Sequence, residues 1–209
     1  MKISYAITVC NELEEVKRLL DLLLKHKREQ DEIVILVDIT KPNDELVSTL
    51  RHYEMHNMDH VVVWPGEFRG HFADWKNKLT SYCSGDYLFQ IDADEYPHIN
   101  FIESLSAILE ANPEVDVYLV PRVNTVEGLT QEHIQKWGWR VDNNGWVNWP
   151  DWQHRIYRND NNIKWQNKVH EILVNHKQFT YLPVAEEYAL FHPKTIDRQE
   201  RQNDYYDKL

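Results

Sequence analysis

Short apolar runs alternate with helix-like segments along the first 120 residues. Five runs have the apolar, β-branched composition of buried strands: residues 3–9, 32–37, 60–64, 87–91 and 115–120. Between them, leucine and other apolar side chains recur three and four residues apart, the spacing of amphipathic helices. This alternation predicts an α/β fold in which a mostly parallel central sheet is flanked by helices on both faces.

The pattern changes after residue 125. Six of the eight tryptophans lie between Trp137 and Trp165, among Asn, Asp and Gly. Short hairpin-like pieces and a final polar helix are predicted at residues 154–157, 163–165, 169–174, 179–182 and 195–209. We therefore predict a single domain over residues 1–209, with a regular half (1–125) and a short, irregular C-terminal lobe (126–209).

Composition limits the classes of partner. The chain has 34 acidic and 23 basic residues and a formal net charge of −11, whereas nucleic-acid binding rests on Lys and Arg, so we expect no nucleic-acid partner. No apolar stretch approaches the ~20 residues of a transmembrane helix, and the first residues lack signal-peptide features. Two cysteines, Cys10 and Cys83, cannot build a disulfide framework, so a reducing, cytoplasmic location is expected.

The distribution of glycine excludes two ways of binding phosphate. The first glycine is Gly66, so neither a Rossmann fingerprint nor a P-loop can follow the first strand. A nucleotide would have to be held by other means, and a metal ion is the usual substitute.

Polar residues follow the predicted strands at their C-terminal ends, where parallel sheets bind ligands. They are Thr8, Asn11 and Glu12 after the first strand and Asp38 after the second. The fourth strand ends in Asp92-Ala93-Asp94-Glu95, with three carboxylates within four residues. Such acids repel one another unless a cation compensates them, and hard oxygen ligands suit Mg²⁺ or Mn²⁺. The alternative is a solvated acidic turn that caps the next helix.

Residues 87–95 (YLFQIDADE) resemble the DxD segment of GT-A-fold glycosyltransferases. Five further segments are similar, in order and rough spacing, to a large inverting family of these enzymes, family 2. They are residues 7–12 (ITVCNE), 73–77 (ADWKN), 149–155 (WPDWQHR), 168–171 (KVHE) and 190–192 (LFH). The resemblance is closest to the lipopolysaccharide-core glucosyltransferase-like branch. One departure is Asp38-Ile39-Thr40-Lys41, where the family often has Asp-Asp-Gly-Ser.

The resemblance implies a GT-A fold and a metal-dependent inverting transferase, whose residues 1–125 would be a Rossmann-like nucleotide-sugar half. The enzyme would move a hexose from a nucleoside diphosphate sugar, such as UDP-glucose, to a hydroxyl acceptor, expected to be a saccharide. Mn²⁺ or Mg²⁺ would be held by Asp92, Asp94 and His192, with His170 as the alternative histidine. The implied donor-binding residues are Thr8, Asn11, Glu12, Asp38, Lys76, Asn77, Asp92 and Ala93.

The C-terminal lobe would then bind the acceptor. Asp151 is the predicted general base that takes the proton of the acceptor hydroxyl, and Glu171 is an alternative base or an acceptor-binding residue. The implied acceptor-binding residues are Trp149, Trp152, Gln153 and Arg155. Structural roles remain open for Asp151 as a turn residue after Pro150, for the tryptophans as packing and for Lys76 as an exposed helix residue.

Two other functions remain alternatives. The tryptophans suit sugar rings and would fit a non-catalytic carbohydrate-binding module, but such a module has no need for acids at a strand end. A sugar-phosphate nucleotidyltransferase is also α/β and metal-dependent, but it usually has a glycine-rich N-terminal loop, which the start of this chain lacks.

Overall fold

A mixed β-sheet forms the centre of the computed structural model, which describes residues 1–41 and 43–206. The strands in these residues are β1 (Ile3–Val9), β2 (Glu32–Asp38), β3 (Val61–Gly66), β4 (Tyr87–Asp92), β5 (Tyr96–Pro97), β6 (Val117–Glu127), β7 (Val147–Arg158), β8 (Lys164–Gln166), β9 (Ile172–Val174), β10 (Phe179–Tyr181) and β11 (Leu190–Thr195). The helices are α1 (Leu13–His26), α2 (Asp44–His56), α3 (Phe72–Thr80), α4 (Ile99–Ala111), α5 (Gln131–Trp137) and α6 (Ile196–Tyr206), with a 3₁₀ helix at Glu186–Tyr188.

The main sheet has the strand order β3-β2-β1-β4-β7-β6-β11-β5, and β10 also pairs with β6. Strands β1 to β4 pair in parallel, and β10 and β11 are parallel to β6. By contrast, β7 is antiparallel to both β4 and β6, and β5 is antiparallel to β11. Strands β8 and β9 form a separate hairpin. The predicted α/β class is confirmed: the sheet is mixed, mostly parallel and flanked by helices.

The parallel pairing brings the polar strand ends together. Thr8, near the end of β1, is paired in register with Asp92 of β4 and with Leu36 of β2. Because β1, β2 and β4 run in the same direction, their C-terminal residues meet at one edge of the sheet, the edge at which open α/β sheets bind ligands.

Side chains of β1 alternate between two cores. Ile3, Tyr5 and Ile7 belong to a core that includes residues of α1, α2 and α4, whereas Ala6 belongs to a second core with residues of α3 and the β8–β9 hairpin. Both faces of the strand are therefore buried, which explains why its sequence is a continuous apolar run rather than an alternating one.

The C-terminal half is more regular than the sequence predicts. Residues 154–157, predicted as a short piece, belong to the 12-residue strand β7, which lies in the main sheet between β4 and β6. Strand β6 runs on to Glu127, past its predicted end at residue 120, and α5 was not predicted at all. Polar residues interrupt the apolar pattern of β7 because much of this strand is only partly buried, so the composition obscures its strand character.

The predicted polar helix is present as α6, which ends at Tyr206. Residues 207–209 of that prediction, and Pro42 in the predicted break before α2, lie outside the described residues. In the described part of the chain, no helix combines the length and apolarity that crossing a bilayer requires.

Candidate active site

A cleft of about 1880 Å³ opens at the C-terminal ends of β1, β2 and β4. Its volume exceeds the roughly 300–1,000 Å³ of a typical single-ligand pocket, so it has room for two substrates. Most of the predicted site residues line it: Thr8, Asn11, Glu12, Asp38, Lys76, Asp92, Ala93, Asp94, Asp151, Gln153, Arg155, His170, Glu171 and His192.

Three predicted site residues do not line the cleft. Asn77 pairs with the backbone of Trp165, through its Nδ2 to the carbonyl oxygen and its Oδ1 to the N–H, both at 2.9 Å. Trp149 packs edge-on against Trp146, and Trp152 packs edge-on against Tyr181. Asn77 therefore attaches β8 to α3, and the two tryptophans contact other aromatic residues.

Two acidic side chains of the cleft, which follow β1 and end β2, hold the surrounding backbone. Asp38 is buried and accepts hydrogen bonds from the N–H groups of Thr40 and Phe68. Glu12 accepts hydrogen bonds from the N–H groups of Cys10 and Asn11 at 2.8 and 2.9 Å. Both carboxylates thereby fix the loops that follow β1 and β2, which border the cleft.

Lys76 is a buried cation beside the first aspartate of the DxD segment. Only 4% of it is exposed, which contradicts its alternative role as an exposed helix lysine. Its Nζ lies 2.6 Å from Glu171 Oε1 and 3.9 Å from Asp92 Oδ1, and it lies over the ring of Trp165. Glu171 is thus ion-paired to Lys76, one of the predicted donor-binding residues.

Asp94, the second DxD aspartate, lies between a histidine and an arginine. Its Oδ2 is 3.1 Å from His192 Nε2 and 3.2 Å from Arg198 Nη2. Burial opposes ionisation of Asp94, but His192, Lys194 and Arg198 outweigh it and hold the pKa of this carboxyl well below its ordinary value. Burial lowers the pKa of His192 against the opposing effect of Asp94, which favours the neutral, metal-binding imidazole.

The donor atoms around Asp94 fit a divalent cation. Within residues 1–41 and 43–206, no three His, Cys, Asp or Glu side chains group closely enough to hold a metal by themselves. However, the neighbouring carboxylate oxygen of Asp94 and imidazole nitrogen of His192 are donors that Mn²⁺ accepts, and a metal held by these two alone would keep positions for other ligands. His170, the alternative histidine, lines the cleft on the loop before β9.

Asp151 lies within β7, so it is not the turn residue of the simpler alternative. Its Oδ2 accepts hydrogen bonds from Arg122 and Asn124, and its Oδ1 accepts one from Gln153 at 2.8 Å. Burial opposes its ionisation, but Arg122 and the amide hydrogen bonds outweigh this and lower the pKa of Asp151. The carboxylate is ionised at neutral pH, and Oδ1 carries fewer hydrogen bonds than Oδ2.

Sequence comparison decides the family. The family model described as "Glycosyl transferase family 2" matches residues 4–179, most of the chain. The chain belongs to glycosyltransferase family 2. This confirms the predicted family, whereas the lipopolysaccharide-core branch stays a prediction. No protein with a curated description matches the sequence.

Solved structures share the fold of this family 2 domain. TarS 1-349 from S. aureus in complex with UDP superposes with a TM-score of 0.63 at 17% identity, over 92% of this chain and 60% of that chain. The same TarS segment in complex with UDP-GlcNAc gives a TM-score of 0.60 at 17% identity, over 93% of this chain and 59% of that chain. The chain described here thus spans about three fifths of the TarS segment. The structural similarity of the two shows a shared GT-A fold.

The sequence prediction missed several residues in and around the cleft. Arg122 and Asn124 lie beyond the predicted end of the fifth strand, although polar residues alternating with the buried Val123 could have extended it. Glu95 belongs to the acidic segment but was given no role. No local signal points to Arg198, because its helix is predominantly polar and the residue meets Asp94 only through the fold.

Proposed function

We propose that this domain is a metal-dependent inverting glycosyltransferase that moves a hexose from a UDP-sugar to a hydroxyl of a saccharide. One observation carries the proposal: a single cleft brings the strand-end acids Asp92 and Asp94, with His192, together with a separate ionised carboxylate, Asp151. The TarS structures named above hold UDP and UDP-GlcNAc, and we extend that donor class to this chain.

The donor would bind along the strand ends. Thr8, Asn11, Glu12 and Asp38 would border the nucleoside, and the ammonium group of Lys76 would meet the diphosphate as a point charge. Asp94 and His192 would hold Mn²⁺ or Mg²⁺, with Asp92 on the metal or the ribose and Ala93 lining the cleft between the two acids. When bound, the metal would stabilise the charge that develops on the leaving diphosphate.

The acceptor would react at Asp151. As an acceptor oxygen forms its bond to the anomeric carbon, the bond from that carbon to the diphosphate breaks, and Asp151 Oδ1 takes the hydroxyl proton. Gln153, hydrogen-bonded to Oδ1, would hold this oxygen in place. Arg155 is buried and bound to carboxylates, so we assign it to Asp92 rather than to the acceptor.

The aromatic and amide residues of the C-terminal lobe offer acceptor contacts both inside and outside the cleft. Trp139, Asn144 and Asn148 line the cleft and would contact the sugar that carries the reacting hydroxyl. Trp149 and Trp152 lie outside the cleft lining, so their predicted contact with acceptor requires a saccharide that extends beyond it.

Calorimetry with UDP tests the donor and metal assignments together. We expect UDP to bind in the presence of Mn²⁺ and to lose most of its affinity in chelator, because the proposed site then lacks the cation that would link Asp94 and His192 to the diphosphate. Equal affinity in chelator would contradict the metal assignment. No UDP binding in either condition would favour the carbohydrate-binding module.

A panel of nucleotide sugars would identify the donor. UDP-glucose, UDP-GlcNAc and GDP-mannose are each incubated with the protein, and the release of the nucleoside diphosphate is measured.

The stereochemistry of transfer tests the single displacement. One carboxylate that activates the acceptor implies attack from the face opposite the leaving group, so an α-linked donor should give a β-linked first product. NMR of the first-formed product measures the anomer. A retained α-product would show that Asp151 does not act as an acceptor base.

A further inference from the structure

Glu95 is a fully buried carboxylate that takes no part in the reaction steps proposed above. It follows the DxD segment on the turn between β4 and β5. Its Oε1 accepts hydrogen bonds from Arg122 Nη1 at 2.9 Å and Arg155 Nη2 at 2.7 Å. Its Oε2 accepts the backbone N–H of Asp92 at 3.2 Å. The carboxylate therefore joins two guanidinium groups and the end of β4.

Each of these arginines also holds one carboxylate of the cleft. Arg122 donates to Asp151 Oδ2 through Nε at 3.0 Å and Nη2 at 2.7 Å. Arg155 donates to Asp92 Oδ2 at 2.7 Å. The network connects β4, β6 and β7 and ends at two carboxylates in the proposed active site.

A purely structural role explains this network poorly. Burying ionised groups is costly, and apolar residues of similar size often give equal or greater stability in the same place. Geometry gives a better reason for retaining it, because paired guanidinium and carboxylate groups fix each other's orientation. Here the fixed group at one end is the proposed base.

Among the residues that the structure describes, the Asp151 carboxylate pairs with a single cation, Arg122, whereas the Asp92 carboxylate lies near two, Arg155 and Lys76. Within the described residues, the hydrogen bonds of Arg122 go to Glu95 and Asp151, so loss of Glu95 leaves this guanidinium attached only to the base. Asp92 has a further partner in Thr8 Oγ1 at 3.3 Å and lies 3.9 Å from Lys76. Replacing Glu95 with glutamine keeps an oxygen that can accept the Asp92 N–H but removes the charge opposite Arg122, so it should disturb the base and leave the donor site largely intact.

We propose that Glu95 is a positioning residue that, through Arg122, holds Asp151 in the orientation that receives the acceptor proton. The inference rests on the proposed role of Asp151 as the base. Because a shift of about 1 Å in reacting groups can cost about 10²-fold in rate, this position can limit catalysis without touching either substrate.

Glu95→Gln tests the proposal, since it keeps the shape of the side chain and removes its charge. We expect kcat to fall by about 10- to 100-fold, while the Kd of UDP with Mn²⁺ stays within about threefold. Rates are measured as UDP release from the donor that the panel identifies, and affinity by calorimetry. The matched control is Asp31→Asn, because Asp31 is 1% exposed, pairs with Arg28 at 2.8 Å and accepts the Ile3 N–H. It should lower the melting temperature without lowering kcat.

A double-mutant cycle separates positioning from general destabilisation. In the Asp151→Asn background, Glu95→Gln should lower kcat by less than a further factor of about two, because the group that it positions is already lost. If Glu95→Gln does not fold, Arg122→Lys replaces it in the cycle, since lysine keeps the charge but cannot bridge two carboxylates as a fork.

The outcomes are distinguishable. Three results would overturn the positioning role alone. The first is that Glu95→Gln lowers kcat in the Asp151→Asn background as much as it does in the unmodified protein, and the second is an equal loss of kcat in Asp31→Asn. The third is a normal kcat for Glu95→Gln beside an impaired Asp151→Asn. A near-normal kcat for Asp151→Asn would overturn the proposed base, and the positioning role with it.

Discussion

Replacing Asp151 with asparagine should lower kcat by about 10²- to 10⁴-fold, the range typical of a lost general base. The amide keeps the shape of the carboxylate but cannot take a proton. The proposed donor contacts, such as Lys76 and Asp94, are made by other side chains of the cleft, so the Kd of UDP should barely change. Rates of UDP release and calorimetry with Mn²⁺ measure the two quantities. Weakened UDP binding would instead place Asp151 in the donor site.

Glu171→Gln is the paired variant, because Glu171 is the other predicted base. Its carboxylate pairs with Lys76 at 2.6 Å, so its removal takes a negative charge away from a diphosphate-binding cation. We therefore expect UDP binding to be maintained or tightened, with a smaller loss of kcat than in Asp151→Asn. A near-normal Asp151→Asn beside an inactive Glu171→Gln would reverse the assignment of the base.

The pH dependence of kcat provides a second test of Asp151. Arg122 and the amide hydrogen bonds outweigh burial and hold the pKa of Asp151 below its ordinary value, so the group stays deprotonated between pH 7 and pH 5. A base with a depressed pKa loses activity only below that range, and kcat should show no acidic limb there. A limb near pH 6 would assign the titrating group to another side chain.

Asp94→Ala should reduce turnover by about 10³-fold, because the metal site supplies several kcal/mol of charge stabilisation to the transition state. The sharper readout is the ratio of the UDP Kd in chelator to that in Mn²⁺, which should fall towards one. The ratio is needed because loss of Asp94 also releases Arg198, 3.2 Å away, to attract the diphosphate without metal. A ratio as large as that of the unmodified protein would contradict the assignment of Asp94.

Three further variants complete this test. Asp116→Asn removes an acid that pairs with Arg158 and does not line the cleft, so it should leave the Mn²⁺ dependence of UDP binding unchanged. Comparison of His192→Ala with His170→Ala discriminates between the two predicted histidines. We expect the larger loss of Mn²⁺ dependence in His192→Ala, because His192 Nε2 lies 3.1 Å from Asp94. The opposite order would move the assignment to His170.

Local patterns explain why the sequence predicts the regular half of the fold. The apolar runs at β1, β2 and β4 reflect burial on both faces, and the amphipathic segments between them reflect helices packed on one side. The acidic segment Asp92–Glu95 was identified because it directly follows such a run. Each of these signals comes from residues close together in the chain, where periodicity and composition report directly on structure.

The sequence by itself determined the α/β class, the family and the position of the acids at a strand end. Only the tertiary structure decided that β7 lies between β4 and β6, which brings Asp151 to Arg122 and Arg155 to Asp92. It also paired Lys76 with Glu171. These contacts join residues 29 to 95 positions apart along the chain. Strand order and long-range charge pairing depend on how whole elements pack, and no local periodicity records that choice.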